Sequence, residues 1–426
     1  MRILILNQYC TPEPNFKSVP FAQELVRRGH EARILTGFPN YPGGRVFTGY
    51  RIRPWQREII RGIPILRVPL YPSHDRSAIR RTVTYLSFAL SVVPPLLGGW
   101  KPDLIYVWNL PLTALTAALA SAVRGVPYVM DVQDLWPDAV FNSGIAPRWV
   151  VGVGRLMARY VYGRARALFV LSPGFKRVLE QRGIPGQRIE VIYNWCDEDS
   201  LRCDGGVPTV DALPGFAGRF NIVYAGTMSR AQGLHAVIEA AALVARSHPR
   251  VQFVFMGSGR LQDELRAQAA QRASANTLFI PQRPMKEAAA VLRAADVLLV
   301  HLRKDPLYEV TIPSKTQVYL AMGKPILIGT GQDAADLVRR AGAGLTCAPE
   351  DPLGIAEAAI RFAHLPADTL AQMGRRGREF YEKELSLRVG AARMEAVFQK
   401  LGLHPSASPR SPEAAAAELS TNAPRY

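Results

Sequence analysis

Cysteine is scarce in this chain, and its few copies are not arranged for chemistry. The four cysteines among 426 residues form no CxxC pair and no Cys/His ladder. This excludes a disulfide scaffold, offers no structural zinc site and favours a reducing cytosolic compartment. Long apolar runs are also missing, because no stretch reaches the roughly 20 residues that a membrane-spanning helix needs. The opening MRILIL is interpreted as a first strand, not as a signal peptide.

Several catalytic signatures are absent as well. The sequence contains no Walker lysine motif, no HExxH, no GxSxG and no carboxylate-rich metal loop, so we expect no metal and no cofactor. Residues 8–18 contain no glycine, which argues against the GxGxxG turn of a nicotinamide dehydrogenase. The nearest imitation, Gly257-Ser258-Gly259, has two of the three glycines. It fits either a turn that approaches a phosphate or an ordinary tight turn.

Acidic residues are outnumbered by basic ones. There are 52 Lys and Arg against 35 Asp and Glu, a net charge of +17, and eight arginines fall within residues 51–81. Such an excess of positive charge suits binding to nucleic acid, to an anionic membrane or to phosphate-bearing substrates. The alternative without a binding partner is a basic surface that faces solvent. The run offers few aromatic side chains for stacking on bases (Trp55 and Tyr71), so nucleic acid is disfavoured.

Short apolar runs alternate with amphipathic segments along the chain. This pattern predicts an α/β fold with two Rossmann-like parallel-sheet domains facing each other across a cleft. Strands are predicted at 2–8, 31–38, 103–109, 127–134, 166–172 and 189–194. The same alternation begins again with strands at 220–226 and 251–257. The predicted helices include 19–29, 112–123, 233–247 and 261–271.

The turn-rich segment 204–218 separates the two halves. We assign residues 1–210 to an N-terminal domain and residues 211–385 to a C-terminal domain. A last helix within 386–403 is expected to cross back to the N-terminal domain. Residues 404–426 are rich in Ala, Ser and Pro, and we expect them to be disordered.

The segment 309–329 is the strongest candidate for anion binding. Pro313 fits the first position of a helix, so the amides of Ser314 and Lys315 would point out of the helix start. A helix N-terminus with an ammonium group suits a pyrophosphate, although a simply capped helix start is the alternative. The loop 225–233 follows a predicted strand, and its amides could cover the far side of the same diphosphate.

Two carboxylates flank the end of the strand predicted at 127–134. Asp131 and Asp134 are expected to face the cleft, where a carboxylate can orient a sugar hydroxyl or accept its proton. For Asp138 the alternative is to cap the following turn.

Residues 76–100 combine arginines with an apolar stretch of about sixteen residues, too short and too broken to span a bilayer. The segment could lie in the interface, with its arginines against anionic headgroups, or it could be an ordinary core helix. The residues predicted to contact the membrane are Arg76, Arg80, Arg81, Leu86 and Phe88.

Segments spread over about residues 1–400 resemble, in the right order, the GT4 family of retaining nucleotide-sugar glycosyltransferases, which have the GT-B fold. They are LVRRGHEARILTGFPNYPGG (25–44), VIYNWCDED (191–199), VYAGTMSRAQGLHAVIEAA (223–241), FVFMGSGRLQDEL (253–265), AADVLLVHL (294–302), YLAMGKPILIG (319–329) and AGAGLTCAPEDPLGIAEAA (341–359). The pieces GFPNYP, DLWPD and TIPSK resemble bacterial enzymes of colanic acid, capsule and O-antigen assembly, including the N-acetylfucosamine transferase type.

The sequence departs from the family pattern at its donor residues. The family's two glutamates, seven residues apart, fall at Val310 and Val318, and the adjacent Glu309 is a substitute after a small shift of the loop. The family's phosphate-binding Arg and Lys fall at Thr227 and Gln232. Compensation is expected from Arg230 or Lys315.

The resemblance implies a hexosyltransferase that moves a sugar from a nucleoside diphosphate sugar, with UDP favoured, to a polyprenyl-diphosphate-linked saccharide of exopolysaccharide, capsule or O-antigen. It implies an acceptor-binding N-terminal domain, a donor-binding C-terminal domain and a cytoplasmic location, peripheral to the inner face of the plasma membrane, without nucleic acid. A sugar-nucleotide epimerase of the same fold and a non-catalytic basic scaffold or nucleic-acid-binding protein are the alternatives.

The residues to which these roles are assigned fall into three sets. The catalytic candidates are Asp134, Asp131 and Lys315. The donor-binding candidates are Gly226, Thr227, Arg230, Gln232, Gly257, Arg283, Glu309, Thr311, Ser314 and Lys315. The acceptor or cleft candidates are Glu13, Asn15 and Lys17.

Overall fold

The computed structural model describes residues 1–73, 78–136, 148–201, 213–272 and 275–403. Contacts group these residues into two compact units. Unit 1 comprises Met1–Leu171, Lys176–Ile192 and the described residues from Ala391 onward, whereas unit 2 comprises Ser172–Phe175 and Tyr193–Gly390. The predicted tail 404–426, Arg76 and Asp138 lie outside the described residues, and the predicted domain limits stay predictions.

Unit 1 is built on an eight-stranded sheet with the strand order β3-β4-β2-β1-β5-β6-β7-β8. Neighbouring strands run parallel except for the antiparallel pair β3–β4. The strands are β1 (Arg2–Leu6), β2 (Glu31–Gly37), β3 (Gln56–Ile60), β4 (Ile63–Val68), β5 (Leu104–Trp108), β6 (Tyr128–Val132), β7 (Leu168–Val170) and β8 (Ile189–Val191). The central strands are nearly continuous apolar runs because helices cover both faces of a parallel sheet.

The helices of unit 1 follow the predicted alternation with the strands. They are α1 (Val19–Arg27), α2 (Ala78–Ser91), α3 (Val93–Gly98), α4 (Pro111–Arg124), α5 (Arg148–Arg164), α6 (Pro173–Gln181) and, towards the end of the chain, α16 (Leu387–Lys400). The first residues of α6 and of α16 belong to unit 2. Helix α2 packs against α4, and α4 packs against α5. No helix in the described ranges has both the length and the apolar character needed to cross a bilayer.

The hairpin β3–β4 lies in the arginine-rich run and was not predicted. Its turn uses left-handed backbone at Arg61 and Gly62. The outer strand β3 leaves Arg57 and Ile59 exposed, so the apolar alternation of a half-buried strand is missing. Arg67 on β4 is buried and donates to Glu58 at 2.5 Å, so it does not belong to the basic surface.

Helix α2 has an inward and an outward face. Phe88 is 0% exposed, so its predicted membrane contact is wrong. It lies one turn after the buried Thr84, on the face that builds the core. Leu86 points outward and is exposed, Arg80 is exposed, and Arg81 is partly exposed.

Unit 2 is built on a six-stranded sheet that is parallel throughout, in the order β11-β10-β9-β12-β13-β14. The chain adds strands on one side of β9 and then continues with β12 on its other side. This reversal places a topological switch point between β9 and β12. The strands are β9 (Phe220–Ala225), β10 (Val251–Met256), β11 (Thr277–Ile280), β12 (Val297–His301), β13 (Ile326–Gly329) and β14 (Gly344–Cys347).

The helices of unit 2 cover both faces of this sheet. They are α7 (Glu198–Leu201), α8 (Leu234–Ser247), α9 (Gln262–Gln271), α10 (Met285–Ala294), α11 (Pro306–Glu309), α12 (Ser314–Met322), α13 (Gln332–Ala341), α14 (Pro352–Ala363) and α15 (Ala367–Phe380), followed by a π-helical turn at Tyr381–Leu385. One apolar core joins α8 and α14 to the strands β9 and β10. This core fixes the carboxyl ends of the strands, where the candidate site lies.

Candidate functional site

A pocket of about 540 Å³ lies at the carboxyl ends of β9, β10 and β11 in unit 2. Residues of the loops that follow these three strands line it, and the first residues of α12 form another wall. The pocket lies next to the switch point, on its β9 side, at the strand ends where open parallel sheets bind their ligands. Within the described part of the chain, no Asp or Glu lines it.

Two glycines let the strand ends approach each other closely. Gly226 follows β9 with φ 140°, and Gly257 follows β10 with φ 145°. A Cβ atom on Gly257 would lie 2.0 Å from the carbonyl oxygen of Gly226. Only glycine therefore fits at position 257, because both the backbone conformation and the space exclude a side chain.

Lys315 is the less exposed of two cations that line this pocket, and Arg283 is the other. Helix α12 begins at Ser314, and Pro313 has extended backbone before the helix instead of the predicted first helical position. The Lys315 Nζ atom lies 4.8 Å from the centre of the Tyr224 ring and 3.3 Å from Gln232 Oε1. Burial lowers the pKa of Lys315 to about 8.

No carboxylate among the described residues forms an ion pair with Lys315. A partly buried ammonium without a counterion is unfavourable, since the lost hydration is only partly replaced by the amide oxygen and the aromatic ring. Free amides at a helix start add positive potential at the same wall. The arrangement can therefore bind an anion and stabilise negative charge that develops during a reaction.

The structure brings most of the predicted donor-binding residues to this pocket. Gln232 does not line it but contacts Lys315. Arg283 lines it and also pairs with Glu287 at 3.0 Å. The predicted residues in the lining are Gly226, Thr227, Gly257, Arg283, Ser314 and Lys315, together with Val318, which stands at a family glutamate position.

Besides Gln232, three predicted donor residues do not line the pocket. Glu309 Oε2 accepts from the Gln332 amide at 3.1 Å, so it caps the start of α13. Thr311 donates its hydroxyl to the Leu307 carbonyl oxygen at 2.7 Å. Arg230 is exposed on the short 3₁₀ turn before α8. In each case local hydrogen bonding or loop geometry, which spacing does not reveal, decides where the side chain lies.

Sequence reasoning missed four polar residues of this site. Tyr224 lies under Lys315, and the Tyr319 hydroxyl accepts from the Ala225 amide at 3.1 Å. Ser258 donates to Gln282 Oε1 at 2.6 Å across two strand ends. The spacing of four residues from Lys315 to Tyr319 was a usable signal, because it puts both on one helix face.

His301 at the end of β12 holds the loop that carries Gln232. Its Nδ1 lies 2.7 Å from the Gln232 carbonyl oxygen, and its Nε2 accepts from the Glu350 amide at 3.1 Å. Burial lowers the pKa of His301, so the imidazole is neutral at pH 7 and Nδ1 carries the proton. The ring thereby positions Gln232 next to Lys315.

Unit 1 presents an oriented carboxylate at the end of β6. Asp134 is exposed, and its Oδ2 accepts from Asn109 Nδ2 at 2.7 Å. Asn109 Oδ1 accepts from the Asp134 amide at 3.0 Å, which closes a reciprocal pair. Asn109 has φ 62°, a conformation that asparagine tolerates better than most residues. This pair fixes Asp134 while leaving it accessible.

Asp131 and Lys17 form a buried ion pair with a distance of 2.5 Å. Asp131 is 1% exposed, and it also accepts from the Tyr106 hydroxyl and from Gln133 Nε2. Burial lowers the pKa of Lys17, while the neighbouring carboxylate opposes that shift. These contacts correct the predicted catalytic role of Asp131 and cleft role of Lys17, because both side chains are enclosed.

Glu13 and Asn15 shape the loop between β1 and α1. The buried Glu13 carboxylate accepts from the amides of Cys10, Asn40 and Tyr41 at 2.8–2.9 Å, and burial raises its pKa. Asn15 Oδ1 accepts from the Lys17 amide at 2.8 Å. The Glu13 oxygens are thus occupied by backbone groups, contrary to the predicted acceptor contact.

Two family models match the chain. The model described as Glycosyl transferase 4-like domain matches residues 20–195, and the model described as Glycosyl transferases group 1 matches residues 219–364. Together they cover about three quarters of the chain. The second match contains every residue named above for the pocket of unit 2.

Two curated relatives are also named as glycosyltransferases. WcaI of Escherichia coli (strain K12), named as a colanic acid biosynthesis glycosyl transferase, is 28% identical over 320 residues, or 70% of this chain and 75% of WcaI. The glycosyltransferase WbjE of Pseudomonas aeruginosa is 25% identical over 277 residues, or 63% of this chain and 67% of WbjE.

Solved structures support the fold. Anabaena HepE in complex with UDP and glucose matches with a TM-score of 0.65 at 17% identity, over 94% of this chain and 99% of HepE. Sucrose-phosphate synthase from Thermosynechococcus elongatus matches with a TM-score of 0.71 at 16% identity, over 94% and 98%. The predicted fold class, GT-B with two parallel-sheet α/β domains, is confirmed. With both family models in chain order, the protein belongs to the GT4-type glycosyltransferases and is related to enzymes of polysaccharide biosynthesis.

Proposed function

We propose that the protein transfers a sugar, with retention, from a UDP-sugar to a saccharide carried on a polyprenyl diphosphate at the inner face of the bacterial plasma membrane. The observation that carries the donor half is Lys315, a partly buried ammonium in the unit 2 pocket with no carboxylate partner among the described residues. A bound diphosphate supplies the missing counterion. The solved complex of HepE with UDP supports this choice of nucleotide.

The pocket suits a diphosphate leaving group. As the bond between the anomeric carbon and the phosphate oxygen breaks, negative charge grows on the diphosphate. Lys315 and the first amides of α12 stand at the pocket wall to stabilise that charge. Gly226 carries no side chain, and a Cβ atom there would lie 2.6 Å from Lys315 Cε, so glycine keeps the space beside the ammonium open.

The pocket lining also bears on the stereochemistry. A double-displacement route needs a carboxylate nucleophile beside the sugar, and none lines the pocket in the described ranges. We propose substitution on one face of the sugar instead. The acceptor hydroxyl forms the new bond to the anomeric carbon and gives its proton to the departing phosphate oxygen. Asp134 of unit 1 is the candidate to orient the acceptor.

An exposed apolar face on unit 1 supports a membrane-bound acceptor. Leu90 and Leu156 are each 71% exposed, and they belong to a group of exposed apolar side chains on neighbouring helices. The face extends over the adjacent helices α2, α4 and α5, which also carry arginines, so its charge complements an anionic bilayer. We call it the apolar face; its residues are Val83, Leu86, Leu90, Leu115, Leu119, Val123, Val153, Leu156 and Tyr160.

A donor screen tests this function. Isothermal titration with UDP, GDP and dTDP should show binding that favours UDP. Release of UDP from a UDP-sugar should require a polyprenyl-diphosphate saccharide, and the product linkage should keep the donor's anomeric configuration. Formation of an epimeric UDP-sugar without acceptor would favour the epimerase alternative. Absence of any nucleotide binding would overturn the proposal.

A further inference from the structure

A second cavity, of about 360 Å³, lies wholly within unit 1. Arg155, Arg159 and Tyr162 of α5 line it, together with Arg182 after α6 and Trp136 after β6. Neither Asp nor Glu occurs in its lining as far as the chain is described. The cavity thus collects three guanidinium groups without a balancing carboxylate in its wall.

Two of these arginines have no protein partner among the described residues. Arg155 and Arg159 are exposed and lie one turn apart on α5, where like charges repel. Arg182 is held in place, since its Nη1 donates to the Trp136 carbonyl oxygen at 2.8 Å. Guanidinium groups bind phosphate oxygens in a bidentate manner. A phosphate between Arg155 and Arg159 would therefore relieve their repulsion.

Trp136 adds a donor and a link to the acceptor carboxylate. Its indole Nε1 is buried and has no hydrogen-bond partner within the described ranges. A phosphate oxygen is an acceptor that suits this N–H group. The Trp136 amide donates to the Asp134 carbonyl oxygen at 3.0 Å, so the cavity wall continues directly into the residue proposed to orient the acceptor.

The same helix offers an apolar row beside the arginines. Val153, Leu156 and Tyr160 follow one another at helical spacing and belong to the apolar face. Helix α5 therefore presents a phosphate-binding row and a hydrocarbon-binding row next to each other. This is the chemistry of an amphiphile with a phosphate head and a long apolar tail.

We propose that this cavity binds the diphosphate of the lipid-linked acceptor through Arg155 and Arg159, with the polyprenyl chain along the apolar face. The inference rests on the proposed function and adds to it a site for the acceptor's diphosphate. A phospholipid headgroup offers related phosphate chemistry. A single phosphodiester carries less charge than a diphosphate, so the three guanidinium groups favour the diphosphate.

The test measures binding of the full-length protein to phosphatidylcholine vesicles that contain a polyprenyl diphosphate. Vesicles with phosphatidylglycerol at the same total charge and vesicles with the polyprenyl alcohol are compared with them. The variant is Arg155→Gln with Arg159→Gln. The matched control is Arg51→Gln with Arg53→Gln, because both of these exposed arginines also lie in unit 1, outside the cavity. UDP binding is titrated for every protein.

We expect the wild type to bind the diphosphate vesicles at least tenfold more tightly than the phosphatidylglycerol vesicles. The cavity variant should lose that preference, and the control variant should keep it within about threefold. Equal losses in both variants, or equal binding to both anionic vesicles, would overturn the inference. Unchanged UDP binding in the cavity variant separates the two sites. Absence of UDP binding in every protein would count against the proposed function, while the vesicle preference would still report on this cavity.

Discussion

The ammonium of Lys315 lies over the ring of Tyr224, with Nζ 4.8 Å from the ring centre. A cation over an aromatic face regains part of its lost hydration energy, and Gln232 adds one hydrogen bond. Neither group carries a negative charge. The pocket thus contains a positive charge that the described residues do not neutralise. The electrostatic free energy of this charge should change sharply when an anion binds.

Replacing Lys315 with Met should separate binding from stability. The variant should bind UDP at least tenfold more weakly, because the charge that faces the diphosphate is gone. The nucleotide-free variant should be more stable than the wild type at pH 7, on the order of 2 kcal/mol, since a partly buried and unpaired charge is removed. Calorimetric titration and guanidinium unfolding measure the two effects.

Lys324→Met is the matched control for that experiment. Lys324 follows the same helix, donates to the Ala295 carbonyl oxygen at 2.8 Å and does not line the pocket. This variant should keep UDP affinity within about twofold. Equal loss of UDP affinity in both variants would contradict the role given to Lys315.

The affinity for UDP should fall as the pH rises above about 8. Burial lowers the Lys315 pKa from 10.5 to about 8, so the free protein loses this charge in that range. Between pH 8 and 10.5 the unfolded chain binds more protons than the folded one at this site. The contribution of Lys315 to the free energy of unfolding therefore rises with pH there and is lowest below pH 8. Lys315→Met should abolish both the pH dependence of UDP affinity and this contribution to the pH dependence of the free energy of unfolding. Flat UDP affinity from pH 7 to 10 would contradict the assignment.

Gly257→Ala should damage the donor pocket more than a comparable glycine substitution does. The new Cβ atom would lie 2.0 Å from the Gly226 carbonyl oxygen, so the two strand ends must separate. Gly218 also has a positive φ, 69°, but a Cβ atom there has nothing within 4 Å. We expect Gly218→Ala to cost about 1 kcal/mol of stability without loss of UDP binding. Gly257→Ala should cost more and weaken UDP binding at least tenfold, by unfolding and titration measurements.

The pair Lys17–Asp131 should behave as a structural unit. Removing one partner leaves a buried charge, so Lys17→Met should cost about 3–5 kcal/mol of stability. The double variant Lys17→Met with Asp131→Leu should cost clearly less than the sum of the single variants. Urea unfolding of the four proteins measures this coupling. Additive costs would show that the two charges do not depend on each other.

Leu156→Glu should weaken association with phosphatidylglycerol vesicles by about tenfold, because it replaces apolar contact with a repelled charge. Leu353→Glu is the matched control, since Leu353 is 65% exposed on α14 of unit 2 and does not belong to the apolar face. Vesicle sedimentation compares the two. Similar pelleting of both variants would remove the proposed membrane contact of α5.

The sequence predicted the order of strands and helices well where the elements are buried. Strands such as β1, β6 and β9 are apolar runs, and their signal is local. The hairpin β3–β4 was missed because no residue of its outer strand is fully buried, so the strand lacks an apolar core face. Phe88 was misassigned because an apolar helix residue looks the same from the sequence on either face.

Two lysines, each beside a helix start, separate what the sequence determined from what tertiary structure decided. The sequence by itself placed Lys17 before α1 and Lys315 within the first turn of α12, because caps and hydrophobic periodicity are local properties. Only the fold brought Asp131, 114 residues away in the chain, into contact with Lys17. The same folding left Lys315 without a carboxylate partner among the described residues. Charge neutralisation acts through space and not along the chain, so the packing of the sheets decided which lysine is structural and which is available to a ligand.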